Sequence, residues 1–203
     1  TVIGDTIHSF FNPEERSIRL PDLPFDFAEV PKLSIIACGT SSYAAMVSKY
    51  WIESMARIPV EIDVASEFRY RDAPLPEGGV AIFLSQSGET MDTLEALRLC
   101  KQQGQHILSI VNVPDSSIAR ESDVVLQTLA GPEIGVASTK AFTTQLVVLA
   151  CLAITAAKQC GKLDAQTEAV LGQAITEVPS RAVEVLHHDE HIQSLAQEIF
   201  KAR

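Results

Sequence analysis

The sequence predicts an α/β fold, a three-layer αβα sandwich around a five-stranded parallel sheet. Two observations predict it. From Leu33 onward, a short apolar run, a loop of small residues and an amphipathic helical stretch follow one another repeatedly, which is the pattern of a parallel sheet covered by helices on both faces. The chain also has 203 residues, of which 46% are hydrophobic and 21% charged, and this composition suits one soluble globular core with short additions.

The apolar runs predict the strands, and the amphipathic stretches between them predict the helices. The predicted strands are Leu33–Ala37, Val60–Val64, 80–84, 107–111 and Val124–Gln127. The predicted helices of this region are 42–57, 90–103, 117–122 and Thr139–Gln159.

The segments on either side of this region have a different character. Residues 1–11 are weakly helical and the following twenty are rich in proline and charge, so 1–31 is predicted to be a helical and extended lead-in to an α/β domain over 32–162. Residues 163–203 are polar and rich in alanine, and their apolar spacing predicts an arm of two helices, 164–177 and 181–201, separated by Pro179.

Composition argues against several classes of function. A formal net charge of -10 without a basic run disfavours nucleic-acid and membrane-surface binding. The four cysteines form no CxxC pair and no metal-ligand spacing with histidine, so we expect reduced thiols in a cytoplasmic protein. The longest apolar run, 146–157, is too short for a bilayer core of about 30 Å and predicts a buried helix. Because the chain starts at Thr1 without a leader pattern, we expect a fragment or a processed chain.

Two loops that each follow a predicted strand and precede a predicted helix carry hydroxyl residues. One is Cys38-Gly39-Thr40-Ser41-Ser42, and the other is Ser85-Gln86-Ser87-Gly88-Glu89-Thr90. Hydroxyl donors, exposed amides and the positive end of a helix can hold a phosphate without Arg or Lys. Gly39 and Gly88 would allow close backbone approach or a positive φ. These loops therefore predict a phosphate site, and Thr40, Ser41, Ser85, Ser87 and Thr90 are its candidate ligands; Gln86 could reach a sugar hydroxyl.

A third loop, 135–140, precedes the most apolar helix and brings Ser138 and Lys140 to the same edge of the sheet. Taken singly, each hydroxyl could be an ordinary helix N-cap. Strand ends of one parallel sheet converge on one crevice, however, so three such loops together favour a binding site. The main competitor, a dinucleotide or nucleoside-triphosphate site, lacks both GxGxxG and GxxxxGK[ST] here. We expect no cofactor and no metal.

Four segments closely resemble the isomerase region of the glutamine–fructose-6-phosphate aminotransferase family, in the same order and spacing. They are Ile36-Ala37-Cys38-Gly39-Thr40-Ser41, residues 65–70 (ASEFRY), residues 84–90 (LSQSGET) and residues 133–143 (EIGVASTKAFT). The SxSGxT loop alone would indicate only the SIS (sugar isomerase) superfamily. The run that ends in Ala-Ser-Thr-Lys-Ala-Phe-Thr is more specific to the aminotransferase, and the resemblance extends over nearly the whole chain.

The resemblance implies a flavodoxin-like SIS domain at 32–162, the first of two in an enzyme that converts fructose 6-phosphate and glutamine into glucosamine 6-phosphate and glutamate. This reaction is the entry step to amino-sugar (UDP-N-acetylglucosamine) biosynthesis. The resemblance also implies the substrate-binding residues. They are the positions that match the family's phosphate and sugar contacts, together with their neighbours in the first loop: Cys38, Gly39, Thr40, Ser41, Ser85, Gln86, Ser87, Thr90, Val136 and Ser138.

The family's remaining parts have no match in this sequence. By resemblance, a glutaminase domain would precede residue 1, and a second SIS domain would follow the arm and supply the Schiff-base lysine and the proton-moving glutamate. Nothing in the sequence marks Lys140 as that lysine. We therefore expect a homodimeric, cytoplasmic protein that binds fructose 6-phosphate or glucosamine 6-phosphate, with no catalytic residue in this chain. Two alternatives stay open: a stand-alone SIS regulator that senses a sugar phosphate, although no helix-turn-helix is visible, and a related SIS deglycase or isomerase.

Overall fold

The computed structural model describes residues 1–134 and 138–201, and it contains the predicted parallel sheet. Its five strands are β3 Leu33–Ala37, β4 Val60–Val64, β5 Val80–Ser85, β6 His106–Val111 and β7 Val124–Gln127, numbered after two short strands of the lead-in, β1 and β2, at 11–12 and 17–18. They lie in the order β4-β3-β5-β6-β7, all parallel. Each predicted strand agrees with the observed one to within a residue at either end. The α/β three-layer prediction is confirmed.

Helices cover both faces of this sheet. Their bounds are α1 Val2–Phe10, α2 Thr40–Met55, α3 Ala65–Phe68, α4 Met91–Gln102, α5 Ser117–Glu121, α6 Thr139–Gln159, α7 Ala165–Leu186 and α8 Asp189–Lys201. One hydrophobic core holds α1, α2 and α6 against one face, and a second holds α3, α4 and α5 against the other. Along β5, Ile82 and Leu84 belong to the first core while Ala81 and Phe83 belong to the second, so successive side chains alternate between the two layers.

The most apolar helix, α6, lies in the first core, as predicted. It is the one helix among residues 1–134 and 138–201 that is long and apolar enough to cross a membrane, and 67% of its most apolar window is buried inside the protein. A helix that is hydrophobic on most sides and covered by the sheet, α1 and α2 is a core helix.

The lead-in contributes to the same core. Strands β1 Phe11–Asn12 and β2 Ser17–Ile18 form a short antiparallel pair, and a 3-10 turn follows at Phe27–Glu29. The backbone N–H of Ile18 donates to Oε1 of Glu168 on α7 at 3.0 Å, and Oε2 of this buried carboxylate lies 2.7 Å from Nζ of Lys158. The lead-in is thus attached to both α6 and α7.

The predicted break at Pro179 is wrong. Helix α7 continues through this proline to Leu186, and the chain turns only at 187–188 before α8 begins. Proline removes one backbone donor and usually bends or ends a helix. Most side chains after Ile175 are exposed, so a carbonyl that loses its helical partner can be hydrated instead.

Candidate functional site

A cleft of about 290 Å³ opens at the carboxyl edge of the sheet. Parallel register brings this edge together, because Ala37 of β3 pairs with Leu84 of β5 and Ser85 pairs with Val111 of β6. The loops after β3 and β5 therefore begin side by side. The residues that line the cleft are Cys38, Gly39, Thr40, Ser41, Leu84, Ser85, Gln86, Ser87, Thr90, Thr93, Glu133 and Ser138.

Nine of the ten sequence-predicted site residues line this one cleft: Cys38, Gly39, Thr40, Ser41, Ser85, Gln86, Ser87, Thr90 and Ser138. The tenth, Val136, lies outside the described residues. The structure thus brings the first two hydroxyl loops and Ser138 of the third together, as the parallel arrangement of the sheet predicts.

The loop over 85–90 is shaped by its own hydrogen bonds. Ser85 Oγ accepts the backbone N–H of Gly88 at 3.0 Å and lies 3.1 Å from Oγ1 of Thr90. Gly88 has φ +66°, and a Cβ added there would lie 1.9 Å from Oγ of Ser116. Only glycine fits this position, because the turn needs a positive φ and the N-terminus of α5 is packed directly against it.

Glu89 of the same loop points away from the cleft. Its Oε1 accepts the backbone N–H of Ser117 at 2.7 Å, and the hydrogen bonds from Ser117 lower the pKa of the Glu89 carboxyl. This carboxylate therefore anchors the loop to the first turn of α5.

The loop after β3 turns sharply at Gly39, which has φ +58° and is the N-cap of α2. Ser41, in the first turn of α2, is buried, and its Oγ accepts a hydrogen bond from Nε2 of Gln145 on α6 at 3.0 Å. Ser42 bonds back to the Gly39 carbonyl through both its N–H and its Oγ. Thr40 and Ser41 are thus held at the start of α2, facing the cleft.

Helix capping distinguishes the two interpretations of these hydroxyls, as ordinary helix N-caps or as groups that bind a ligand. The helices α1, α5 and α7 each have an N-cap side chain that accepts a backbone N–H of the first turn; these N-cap residues are Thr1, Ser116 and Asp164. The three long helices that begin at the cleft, α2, α4 and α6, have no such bond from their N-cap residues Gly39, Thr90 and Ser138. The hydroxyls at the cleft are therefore not ordinary caps. The first-turn amides of α2 and α4 lack the side-chain oxygen that usually satisfies them, whereas at α6 a carboxylate from outside the N-cap position, that of Glu133, accepts the N–H of Ala141.

The hydrogen bonds also show which groups can donate into the cleft. Ser41 and Ser87 each accept an N–H, from Gln145 and Glu89 respectively, so their own O–H protons are left to be donated to a ligand. The pair of Ser85 and Thr90 uses one of its two protons internally. This side of the cleft therefore presents mainly donors, which suits an anion.

The third loop has the opposite polarity. Oγ of Ser138 donates to Oε2 of Glu133 at 3.2 Å, and the N–H of Ala141 reaches the same oxygen at 3.3 Å. Ser138 therefore presents lone pairs to the cleft. Nζ of Lys140 donates to the Pro132 carbonyl at 2.7 Å, and Lys140 is not among the lining residues. Among the described lining residues, Glu133 is the only one charged at neutral pH.

Sequence reasoning did not assign Leu84, Thr93 and Glu133 to the site. Thr93 lies one turn after Thr90 on α4; it is fully buried, and its Oγ1 has no hydrogen-bond partner among the described residues. The i, i+3 spacing from Thr90 could have indicated it. Glu133 lies in the long connection between β7 and α6, five positions before the N-cap Ser138, and no capping-box spacing indicates that its carboxylate reaches the start of α6.

Comparisons with known proteins identify relatives of the chain. The chain is 55% identical over its full length to a glutamine–fructose-6-phosphate aminotransferase of Bradyrhizobium diazoefficiens, and 53% identical over 99% of its length to that of Gluconobacter oxydans. It spans about a third of each relative, 33% in both cases.

Among solved structures, the C-terminal domain of the aminotransferase from Francisella tularensis superposes with a TM-score of 0.90 at 40% identity, over 97% of this chain and 55% of that one. A family model for the SIS domain matches residues 26–155, which include β3 to β7 and the loops over 38–42 and 85–90. From the parallel sheet, its loops and this match, the chain belongs to the SIS domain family.

Proposed function

We propose that this chain is the sugar-phosphate-binding part of an enzyme that makes glucosamine 6-phosphate from fructose 6-phosphate and glutamine. The observation that carries the proposal is the cleft itself: two long helices, α2 and α4, begin there without side-chain caps, and hydroxyls with protons left to donate surround this end of it. Such an arrangement suits a phosphate, and the hydroxyl and amide groups beside it suit a sugar. The similarity to aminotransferases named for fructose 6-phosphate supports this choice of sugar.

The proposed ligand contacts follow from the hydrogen-bond donors and acceptors that the cleft residues present. The phosphate is held by Ser85, Gln86, Ser87 and Thr90 at the start of α4. The sugar lies toward the loop after β3 and the start of α6. The residues proposed for this part are Cys38, Gly39, Thr40, Ser41, Val136 and Ser138.

The chain by itself is proposed to bind and not to turn over. Among the described lining residues no Lys or His is present, so the cleft offers no amine for a Schiff base and no imidazole for proton transfer. In the complete enzyme a glutaminase domain and a second SIS domain would supply those groups. We further propose that the enzyme is a cytoplasmic homodimer that takes part in amino-sugar biosynthesis.

Isothermal titration calorimetry with fructose 6-phosphate tests the proposal. Ser87→Ala removes a donated hydrogen bond to a charged group, which is worth about 1.5–3 kcal/mol, so affinity falls roughly tenfold or more. Ser54→Ala is the matched control, because this exposed hydroxyl on α2 bonds only the carbonyl three residues earlier. Absence of binding to the folded chain at millimolar ligand would refute the proposal, and unchanged affinity in Ser87→Ala would remove Ser87 from the site.

A further inference from the structure

We infer that Glu133 determines the specificity of the cleft: it directs the phosphate away from the start of α6 and makes the cleft prefer a sugar phosphate that carries an amino group over one that carries a second acid group. This inference rests on the proposed function and deepens it. It assigns the choice among sugar phosphates to one side chain that the hydroxyl pattern of the sequence does not reveal.

The contacts of Glu133 make it the cap of α6. Oε2 accepts both the Ser138 hydroxyl and the Ala141 N–H, and the side chain is half-buried in the wall of the cleft. A carboxylate at a helix start is stabilised by the helix dipole and by the free amides. The N-terminus of α6 is therefore already occupied by a negative charge, and a phosphate placed there would lie against it.

The start of α4 is different. Its N-cap residue, Thr90, makes no side-chain cap bond, and the two nearest acidic residues, Glu89 and Asp92, do not line the cleft. Glu89 is bonded to the N–H of Ser117 on the far side of the loop. Of the three helix starts at the cleft, only the one at α6 thus holds a carboxylate, and those at α2 and α4 are free for an anion. With the phosphate on the loop over 85–90 at α4, the remainder of the sugar extends toward Glu133.

At the Glu133 end, the described side chains Glu133 and Ser138 match a donor on the ligand. Ser138 has given its proton to Glu133 and can only accept, and the carboxylate itself only accepts. The nearby cation, Lys140, is exposed and donates to the Pro132 carbonyl. A protonated amine on the sugar would gain a charge-assisted hydrogen bond here, whereas a carboxylate would be repelled.

The test compares three ligands that share the 6-phosphate: glucosamine 6-phosphate, glucose 6-phosphate and 6-phosphogluconate. Calorimetry at pH 7 measures each with the chain and with Glu133→Gln, which keeps the size of the side chain and one oxygen acceptor for Ser138 and Ala141. We expect the variant to reduce the preference for the amino sugar over glucose 6-phosphate by about fivefold, the value of one partly exposed charge contact. We also expect it to bind 6-phosphogluconate more tightly than the unchanged chain does.

The second effect is a gain, which misfolding does not produce. Glu77→Gln is the control, because it removes the same charge from an exposed residue that precedes β5, at the opposite edge of the sheet. Unchanged ratios among the three ligands in Glu133→Gln would overturn the inference and leave the proposed function standing. Failure of all three ligands to bind the folded chain would instead overturn the proposed function. Ser87→Ala should weaken all three equally, since it touches only the group that they share.

Discussion

The hydroxyl oxygens of Ser85 and Thr90 lie 3.1 Å apart across the mouth of their loop, and Ser85 Oγ also accepts the N–H of Gly88. The two residues therefore have different roles. Ser85 is buried and maintains the shape of the loop, whereas Thr90 stands at the N-terminus of α4 with its hydroxyl toward the cleft.

Substitutions at these two positions should separate stability from binding. Ser85→Ala leaves the buried N–H of Gly88 without an acceptor and should lower the free energy of unfolding by about 1–3 kcal/mol. Thr90→Val keeps the shape of the side chain and leaves the Gly88 bond intact, so it should weaken sugar-phosphate binding with a smaller effect on stability. Urea unfolding and calorimetry on both variants measure the two quantities. A Thr90→Val protein that is as destabilised as Ser85→Ala would show that the division is incorrect.

The two glycines of the cleft form a second matched pair. Both have positive φ, but a Cβ at Gly39 would meet no atom within 4 Å, whereas one at Gly88 would meet Oγ of Ser116 at 1.9 Å. Gly39→Ala should therefore show only backbone strain, about 1–3 kcal/mol. Gly88→Ala should add the cost of overpacking, about 1–3 kcal/mol more. Thermal melting of both variants measures the difference, and equal losses would contradict the steric explanation.

Most of the sheet and the cleft could be predicted from the sequence because their signals are local. Five apolar runs mark buried parallel strands, and hydroxyl loops directly after Ala37 and Leu84 must meet at one edge once those strands are parallel. Glu133 could not be found in this way. Its partners Ser138 and Ala141 are only five and eight positions away, but this spacing matches no capping box or other regular pattern that links an acidic residue to a helix start.

The lack of a local signal also explains where the structure differs from the sequence prediction near the start of the chain, whereas the difference near its end has another cause. Strand β2 contains two residues, and its Ile18 N–H is satisfied by Glu168, 150 positions away. No local pattern predicts such a strand. At Pro179 the local rule was clear and the structure overrode it, since an exposed helix can tolerate one missing donor.

Glu168 should therefore be important for attaching the lead-in to the rest of the domain. Its side chain is 3% exposed and serves both the Ile18 N–H and Lys158. Glu168→Ala should leave a buried N–H unsatisfied and lower the free energy of unfolding by about 1–3 kcal/mol. Glu168→Gln should cost less, because its amide oxygen can still accept from Ile18.

An exposed acidic residue of the same helix provides the comparison. Glu184 pairs with Arg181 at 3.2 Å, with both side chains more than half exposed, so Glu184→Ala should change stability by no more than about 1 kcal/mol. Urea unfolding of the three variants tests the ranking. If Glu168→Ala and Glu184→Ala had the same midpoint, the contact with Ile18 would not contribute to holding the lead-in.

The buried cysteines give a final prediction, which concerns pH. Burial raises the pKa of the Cys100 and Cys151 thiols to about 12, against an ordinary value near 9. Because these pKa values are raised in the folded chain, the thiols contribute stability that is complete below pH 9 and is lost as the pH rises toward 12. At pH 8 both thiols are therefore almost entirely protonated in the folded chain, and both should react with iodoacetamide at least about a hundredfold more slowly in the native chain than in urea. Mass spectrometry of peptides after timed labelling measures this directly. Native-state labelling of Cys100 or Cys151 at the rate seen in urea would mean that the helices α4 and α6, which carry them, open readily, and the two cores described above would then not be closed to solvent.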